Sequence, residues 1–262
     1  MKPAVQLQGV THVYVSKKKA MLAVENIDLD LYPGEFVSLV GPSGCGKTTI
    51  LSIIAGLLDP TIGRAEIAGR KVTGPSSRVG YMLQQDYLFP WRTIWQNALI
   101  GIELSGSLTK EKRDYTLHLL EEMGLLDAVD QYPSQLSGGM RQRAALVRTL
   151  AVEPEILLLD EPFSALDYQT KLQLEELVSQ TLRSRSKTAL LVTHDLSEAI
   201  AMSDRVIVLD RNPGRVRKVM EVPAEIRKAS PMRARELPGF HELFRELWQE
   251  LEQADEKGED AT

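Results

Sequence analysis

Three groups of residues in this chain have types and spacings that suit phosphate chemistry. The first is GPSGCGKT, residues 41–48, which fits G-x-x-x-x-G-K-[ST] at Gly41, Gly46, Lys47 and Thr48. Glycines in such a loop let backbone N–H groups converge on an anion, and a following helix adds the positive end of its dipole. Lys47 is long enough to reach terminal phosphates, and the Thr48 hydroxyl suits Mg²⁺. The second group is ILLLDEP, residues 156–162. Four apolar residues bury a strand, and Asp160 and Glu161 emerge at its C-terminal edge, where open α/β sheets hold ligands. Asp160 is placed to hold Mg²⁺ through water, and Glu161 to orient and polarise an attacking water. The third group is LSGGMRQR, residues 136–143. Ser137, Gly138 and Gly139 stand just before a helix expected from near Met140, a second anion site built from free N–H groups, a hydroxyl and a helix dipole. One phosphate tail does not fill both helix starts within one chain. The second site is therefore expected to close on the nucleotide of another copy, in a head-to-tail pair.

These groups need elements to hold them. Residues 35–40 form a short apolar run that reads as a strand, and residues 48–58 carry apolar residues at helical spacing, so the glycine loop is a strand–loop–helix turn. Upstream, residues 5–39 alternate apolar and polar, with a turn at Tyr32, Pro33 and Gly34, as an antiparallel strand region does. Short strands are predicted at 64–67 and 79–82. A helix-rich insertion is predicted from about 87 to 154, with helices over 110–123 and 140–152 and a stop at Pro154. Strands at 155–160, 188–193 and 205–210 then alternate with helices at 169–185 and 196–203, which calls for a mostly parallel sheet covered on both faces. The C-terminal stretch puts Phe240, Leu243, Phe244, Leu247, Trp248 and Leu251 on one helical face, expected to pack on the body of the protein. Residues 254–262 are charged and read as a disordered tail.

At 262 residues the chain is long enough for a full core. A formal net charge of -5 argues against wrapping nucleic acid. The one cysteine, Cys45, excludes an internal disulfide framework and reads as a small filler inside the phosphate loop. The N-terminus lacks an apolar stretch of signal-peptide length, and no run approaches a membrane span. The chain is therefore expected to be soluble by itself, though able to sit against a membrane protein.

Together these motifs resemble the ATP-binding subunit of ABC transporters, over residues from about 5 to about 223 and in family order. The resemblance implies an α/β P-loop NTPase fold of the ABC type, with a mixed sheet core, an antiparallel β region and an inserted helical subdomain. It implies an ATPase domain over residues 1–230, followed by an amphipathic helix and charged tail over 231–262. Walker A is GPSGCGKT, and the nucleotide-binding residues would be Gly41, Pro42, Ser43, Gly44, Cys45, Gly46, Lys47, Thr48 and Thr49. The signature is LSGGM, Walker B is ILLLDE and the D-loop is SALD, residues 164–167. The Q-loop is LQQD; its glutamine is assigned to Gln84, with Gln85 the alternative register because Leu83 stands where the family often has an aromatic. By resemblance, Gln84 senses Mg²⁺ and the γ-phosphate and links them to the membrane subunit. His194, in VTHD, contacts the γ-phosphate and holds the attacking water, and Asp167 signals between the two chains. Tyr14 would stack on adenine, or else is an ordinary strand tyrosine. The implied cofactors are ATP and Mg²⁺, with Thr48, Gln84 and Asp160 toward the metal.

The relatives of this ATPase core that serve DNA repair or chromosome organisation insert a long coiled coil between Walker A and the signature. Here about 90 residues separate Lys47 from Ser137 with no sustained heptads. Translation-associated relatives carry two such domains, and single-chain exporters fuse membrane helices to the ATPase; this chain has neither. A purely regulatory module need not keep both Glu161 and His194. Residues 87–104 and 211–216 resemble the nitrate, sulfonate and taurine importer group, whose relatives also carry thiamine-precursor or riboflavin-related solutes. The implied partners are a second copy of the chain, a separate membrane permease and, indirectly, a solute-binding protein, at the cytoplasmic face of the membrane. Phe89 and Trp91 would then meet the permease's coupling helix, the alternative being that they pack the helical subdomain.

Overall fold

The computed structural model describes residues 2–17, 19–164 and 166–259. Two strands open the chain, β1 (Val5–Val15) and β2 (Ala20–Leu31), paired antiparallel. The turn at Tyr32 closes with Glu35 N–H donating to the Tyr32 carbonyl, and β3 (Phe36–Val40) leaves for a different sheet. The phosphate loop and α1 (Lys47–Ile54) follow. This helix is shorter than its apolar run suggests. Gly56 turns the chain at φ 73°, where an added Cβ would lie 2.2 Å from the Gly74 carbonyl oxygen.

Next come β4 (Ile62–Ile67), β5 (Arg70–Lys71) and β6 (Val79–Met82). Between β6 and the following strand lie α2 (Ile94–Leu104), α3 (Lys110–Glu122) and α4 (Gly138–Leu150). Helix α2 is an element beyond the two expected in this insertion; a reciprocal capping box between Thr93 and Gln96 starts it. The chain continues through β7 (Ile156–Asp160), α5 (Tyr168–Ser184), β8 (Thr188–Val192), α6 (Leu196–Met202), β9 (Arg205–Asp210) and β10 (Arg215–Glu221). It ends in α7 (Ala224–Lys228), α8 (Pro231–Ala234) and α9 (Phe240–Glu259).

The strands form two sheets. One is antiparallel, in the order β2-β1-β4-β5; the other runs β10-β9-β3-β8-β7-β6, parallel except for β10. Strands β3, β7 and β8 are buried along their full lengths, so both faces of that sheet are covered. Alternation along each strand assigns the layers. Ile156, Leu158, Leu190 and Ile207 face α1 and the antiparallel sheet. Leu157, Leu159 and Leu191 face α2 to α5, and Val206 and Val208 face α6 to α9. Because the parallel strands share a direction, the carboxyl ends of β3, β6, β7 and β8 gather at one edge, with the phosphate loop, Gln84, Glu161 and His194 just beyond them.

The C-terminal helix corrects the expectation of a disordered tail: α9 continues through Glu259, and residues 260–262 lie outside the described residues. Its acidic residues meet the cations of β10. Arg217 pairs with Glu250 at 2.9 Å, and Lys218 with Glu246 and Glu250 at 2.9 Å. Arg211 pairs with Asp255 at 3.0 Å. Phe240, Leu247 and Ala254 are buried against α6 and the sheet, as the apolar face requires. Trp248 is the exception on that face: it is about half exposed and stacks on Phe244.

Candidate active site

The phosphate loop leaves β3 at its C-terminal end, as a strand–loop–helix turn. Gly46 precedes α1 at φ 90°, and a Cβ there would stand 2.3 Å from Val24 Cγ1, so both conformation and space demand glycine. At Gly41 a Cβ would meet Cys45 Sγ at 2.7 Å and the Leu209 carbonyl oxygen at 2.9 Å. Cys45 is fully buried, and burial pushes its thiol up, which keeps it a protonated filler. The Lys47 ammonium donates to the carbonyls of Gly41 (2.7 Å) and Pro42 (3.0 Å), so its charge lies over the loop. Thr48 and Thr49 follow in the first turn of α1, where backbone N–H groups have no partner within the helix.

Asp160, at the end of β7, comes to this loop from 112 residues away. The Thr48 hydroxyl donates to its Oδ2 at 3.2 Å, and the Tyr81 hydroxyl to the same oxygen at 3.3 Å. Burial raises the Asp160 carboxyl, and the two hydroxyls oppose that rise. Nothing in its local sequence marks Tyr81 for this place; it sits on β6, next to β7 in the sheet, and burial beside Asp160 pushes its phenol up. Among the described residues, no group of three or more His, Cys, Asp or Glu is arranged to hold a metal. One carboxylate and one hydroxyl fit Mg²⁺, which takes few protein ligands and fills its shell with water and phosphate oxygens.

Glu161 stands at φ 46°, its N–H donating to the Val192 carbonyl at 2.8 Å. Gln84 Nε2 donates to its Oε2 at 3.0 Å, and His194 Nδ1 lies 3.3 Å from its Oε1. Three candidates from three loops thus meet at one carboxylate, and of the two possible registers it is Gln84 that reaches it. A cleft of about 320 Å³ is lined by Tyr14, Ser43, Lys47, Thr48 and Glu161. At its edge the Tyr14 hydroxyl is 3.2 Å from Thr49 Oγ1, and the ring packs edge-on against His12. More than a third of Tyr14 remains exposed.

Ser137 caps α4, its Oγ accepting from Met140 N–H at 3.3 Å, so the helix begins two residues earlier than expected. A Cβ on Gly139 would stand 2.5 Å from Thr170 Cγ2. Gly138 lines a different cleft, of about 310 Å³, with Gln84, Asp86 and Arg141. Ser137, Gly138 and Gly139 therefore do not join the lining of the cleft around Lys47. Asp167 caps α5 by accepting from Thr170 N–H at 3.1 Å, a bond that holds its carboxyl below the usual range.

After Gln84 the chain is held by residues that sequence reasoning missed. Fully buried Asn97 accepts from Phe89 N–H at 2.7 Å, and its amide donates to the carbonyls of Phe89, Arg92 and Thr93. Arg148 donates to the carbonyls of Asp86 and Tyr87. This frame leaves Phe89 half-buried, while Trp91 is 70% exposed and packs beside it with ring centroids 5.3 Å apart. An asparagine in an apolar helix is the only sequence signal for this arrangement.

The sequence profile of the ABC transporter family matches residues 24–164. The chain is 53% identical over 242 residues to the Bacillus subtilis ABC transporter ATP-binding protein YtlC, covering 92% of this chain and 93% of that one. It is 40% identical over 217 residues to the Synechocystis nitrate import ATP-binding protein NrtD (83% and 82%). It is 39% identical over 253 residues to the Bacillus subtilis aliphatic sulfonates import ATP-binding protein SsuB (97% and 96%). Among solved structures it resembles the ATP-binding cassette MJ0796, a dimer bound to ADP and Pi, with a TM-score of 0.75 and 32% identity. That match covers 84% of this chain and 99% of that one. The fold and site define a P-loop ATPase of the cassette type, and the chain belongs to the ABC transporter family as an ATP-binding subunit. Among the described residues no helix is long and apolar enough to cross a membrane.

Proposed function

We propose that this chain hydrolyses ATP to energise uptake of a small solute through a separate membrane permease, working as a head-to-tail pair at the cytoplasmic face of the membrane. The observation that carries the reading is the Glu161 carboxylate, reached by both Gln84 and His194 beside the phosphate loop. In this reading the loop N–H groups and Lys47 bind the nucleotide's phosphates, and Tyr14 lies against the base. Thr48 and Asp160 would hold Mg²⁺, with Gln84 toward it. When bound, the ion would supply positive charge against the nucleotide's phosphates. Glu161 takes the proton of the attacking water, and His194 contacts the γ-phosphate and holds that water. Ser137, Gly138 and Gly139 of a second copy close the site, which explains why they stand apart from Lys47 within one chain. In this reading Asp167 signals between the two copies.

The relatives that import nitrate and sulfonates support a solute of that class: nitrate, a sulfonate, taurine or a related small molecule delivered by a binding protein. The exposed Trp91, in the segment after Gln84 that Asn97 frames, is the proposed contact with the permease. Copurification of the tagged chain with membrane proteins from its native host tests this. Trp91→Ala should reduce recovery of the permease while ATP affinity stays within about threefold. Undiminished recovery with collapsed ATP binding would place Trp91 in the core instead.

A further inference from the structure

His194 has little to hold it in place. Its side chain is 67% exposed, and its ring partner is Glu161. Where the ring stands is therefore set by the backbone on either side of it, and that backbone is pinned. Thr193 is buried, and its Oγ1 accepts from Asp195 N–H at 3.0 Å. Asp195 Oδ1 accepts from Glu198 N–H at 3.1 Å and starts α6. The other carboxylate oxygen of Asp195 leaves this local turn and meets Lys171, whose Nζ donates to it at 2.7 Å.

Lys171 comes from α5, the helix that Asp167 caps four residues earlier. Its side chain is mostly buried, and the ammonium also pairs with Glu198 Oε2 at 2.8 Å and lies 4.0 Å from Glu175 Oε1. Glu175 is wholly buried and pairs through its other oxygen with Arg235 at 2.6 Å, at the end of α8. One ammonium thus faces three acidic side chains from two helices, with a guanidinium from the C-terminal segment as the second cation. Glu175 Oε1 and Glu198 Oε1 are buried without a hydrogen bond, so removing the ammonium would leave buried carboxylates further uncompensated, which is costly.

We propose that Lys171 is a positioning residue for His194: by gripping Asp195 and Glu198 it fixes the turn that carries the histidine and ties that turn to the helix capped by Asp167. The inference rests on His194 being the γ-phosphate contact. Any movement of the start of α5 then carries Lys171, and with it the turn at Asp195. Arrival of a second copy at Asp167 would in this way be felt at the histidine, without a contact between the two residues.

The test compares Lys171→Met, Lys171→Arg and His194→Ala in the full-length chain with ATP and Mg²⁺. Lys171→Met should lower kcat about ten- to a hundredfold, as a displaced catalytic group does, with KM for ATP within about threefold. Lys171→Arg, which keeps the charge and two donors, should recover most of the rate. Nuclear magnetic resonance of the ring carbons of the four histidines supplies a readout independent of turnover. In Lys171→Met the His194 signal should shift or broaden, while those of His12 and His118 stay in place. If Lys171→Met does not fold, Asp195→Asn replaces it: the side chain can still cap α6 but loses the ion pair. A folded variant with native kcat and an unmoved His194 signal overturns the inference, as does a general shift of all four histidines with kcat and KM changed together. If His194→Ala itself keeps the native rate, the assigned role of His194 fails first; if it is inactive while Lys171→Met is native, only the role of Lys171 fails.

Discussion

Replacing Glu161 by glutamine separates binding from hydrolysis. The residue stands at φ 46°, a backbone state that glutamine tolerates as glutamate does, and its N–H bond to the Val192 carbonyl does not involve the side chain. An amide has nearly the same volume, and its oxygen still accepts from Gln84 Nε2, now at 3.0 Å. Its NH₂ then turns toward His194 Nδ1, now 3.3 Å away. Folding and nucleotide affinity should therefore change little. What is lost is the ability to take a proton from water. General-base help is worth about 10²–10⁴ in rate, or about 3–5 kcal/mol of barrier. Phosphate release by Glu161→Gln should fall by that factor, while calorimetric titration with ATP and Mg²⁺ gives a native affinity. With the γ-phosphate retained, the head-to-tail pair should accumulate and appear in light scattering. Adding Ser137→Arg should prevent it by filling the second anion site. A Glu161→Gln chain that hydrolyses ATP at the native rate would refute the assignment of the base. One that is inactive, binds ATP and stays monomeric would leave the base in place and make closure depend on the permease.

Lys47→Ala should abolish tight ATP binding in calorimetric titration, because it removes the ammonium lying over the loop; a near-native affinity would remove the phosphate-loop assignment. Asn97→Ala leaves the Phe89 N–H and the Arg92 carbonyl without their side-chain partner, while the Phe89 and Thr93 carbonyls keep the backbone N–H groups of Arg92 and Asn97. The change should cost about 1–3 kcal/mol in urea unfolding. A loss under about 1 kcal/mol would mean that water replaces those bonds. Glu198 is buried beside Lys171, Glu175 and Asp195, and burial raises its carboxyl from 4.5 to about 7. The folded chain then keeps a proton that the unfolded chain releases, so this group's contribution to stability declines as pH rises from about 4.5 to about 7, by about 3 kcal/mol at most. Glu198→Gln should flatten that part of the stability–pH curve, and an unchanged slope would refute the shift.

The sequence by itself determined the parts whose chemistry is local. The glycine loop, the buried strand ending in Asp160 and Glu161, and the capped helix start at Ser137 each depend on backbone states chosen within a few residues. Residue type and spacing therefore mark them. The alternation of apolar strands and helices likewise announced a covered parallel sheet, since periodicity is a local property. Tertiary structure decided which distant residues meet. It chose Gln84 over Gln85 at Glu161, put Tyr81 beside Thr48 on Asp160, and set Asn97 to frame the aromatic loop. It also carried the C-terminal helix on into the stretch read as a tail, where Asp255 meets Arg211. A charged stretch read alone looks solvated, and nothing in its own spacing reports a cation 44 residues away. Such pairings follow from strand order: β3, β8, β7 and β6 lie side by side and run one way, so the loops after them converge at one edge, whatever their distance along the chain.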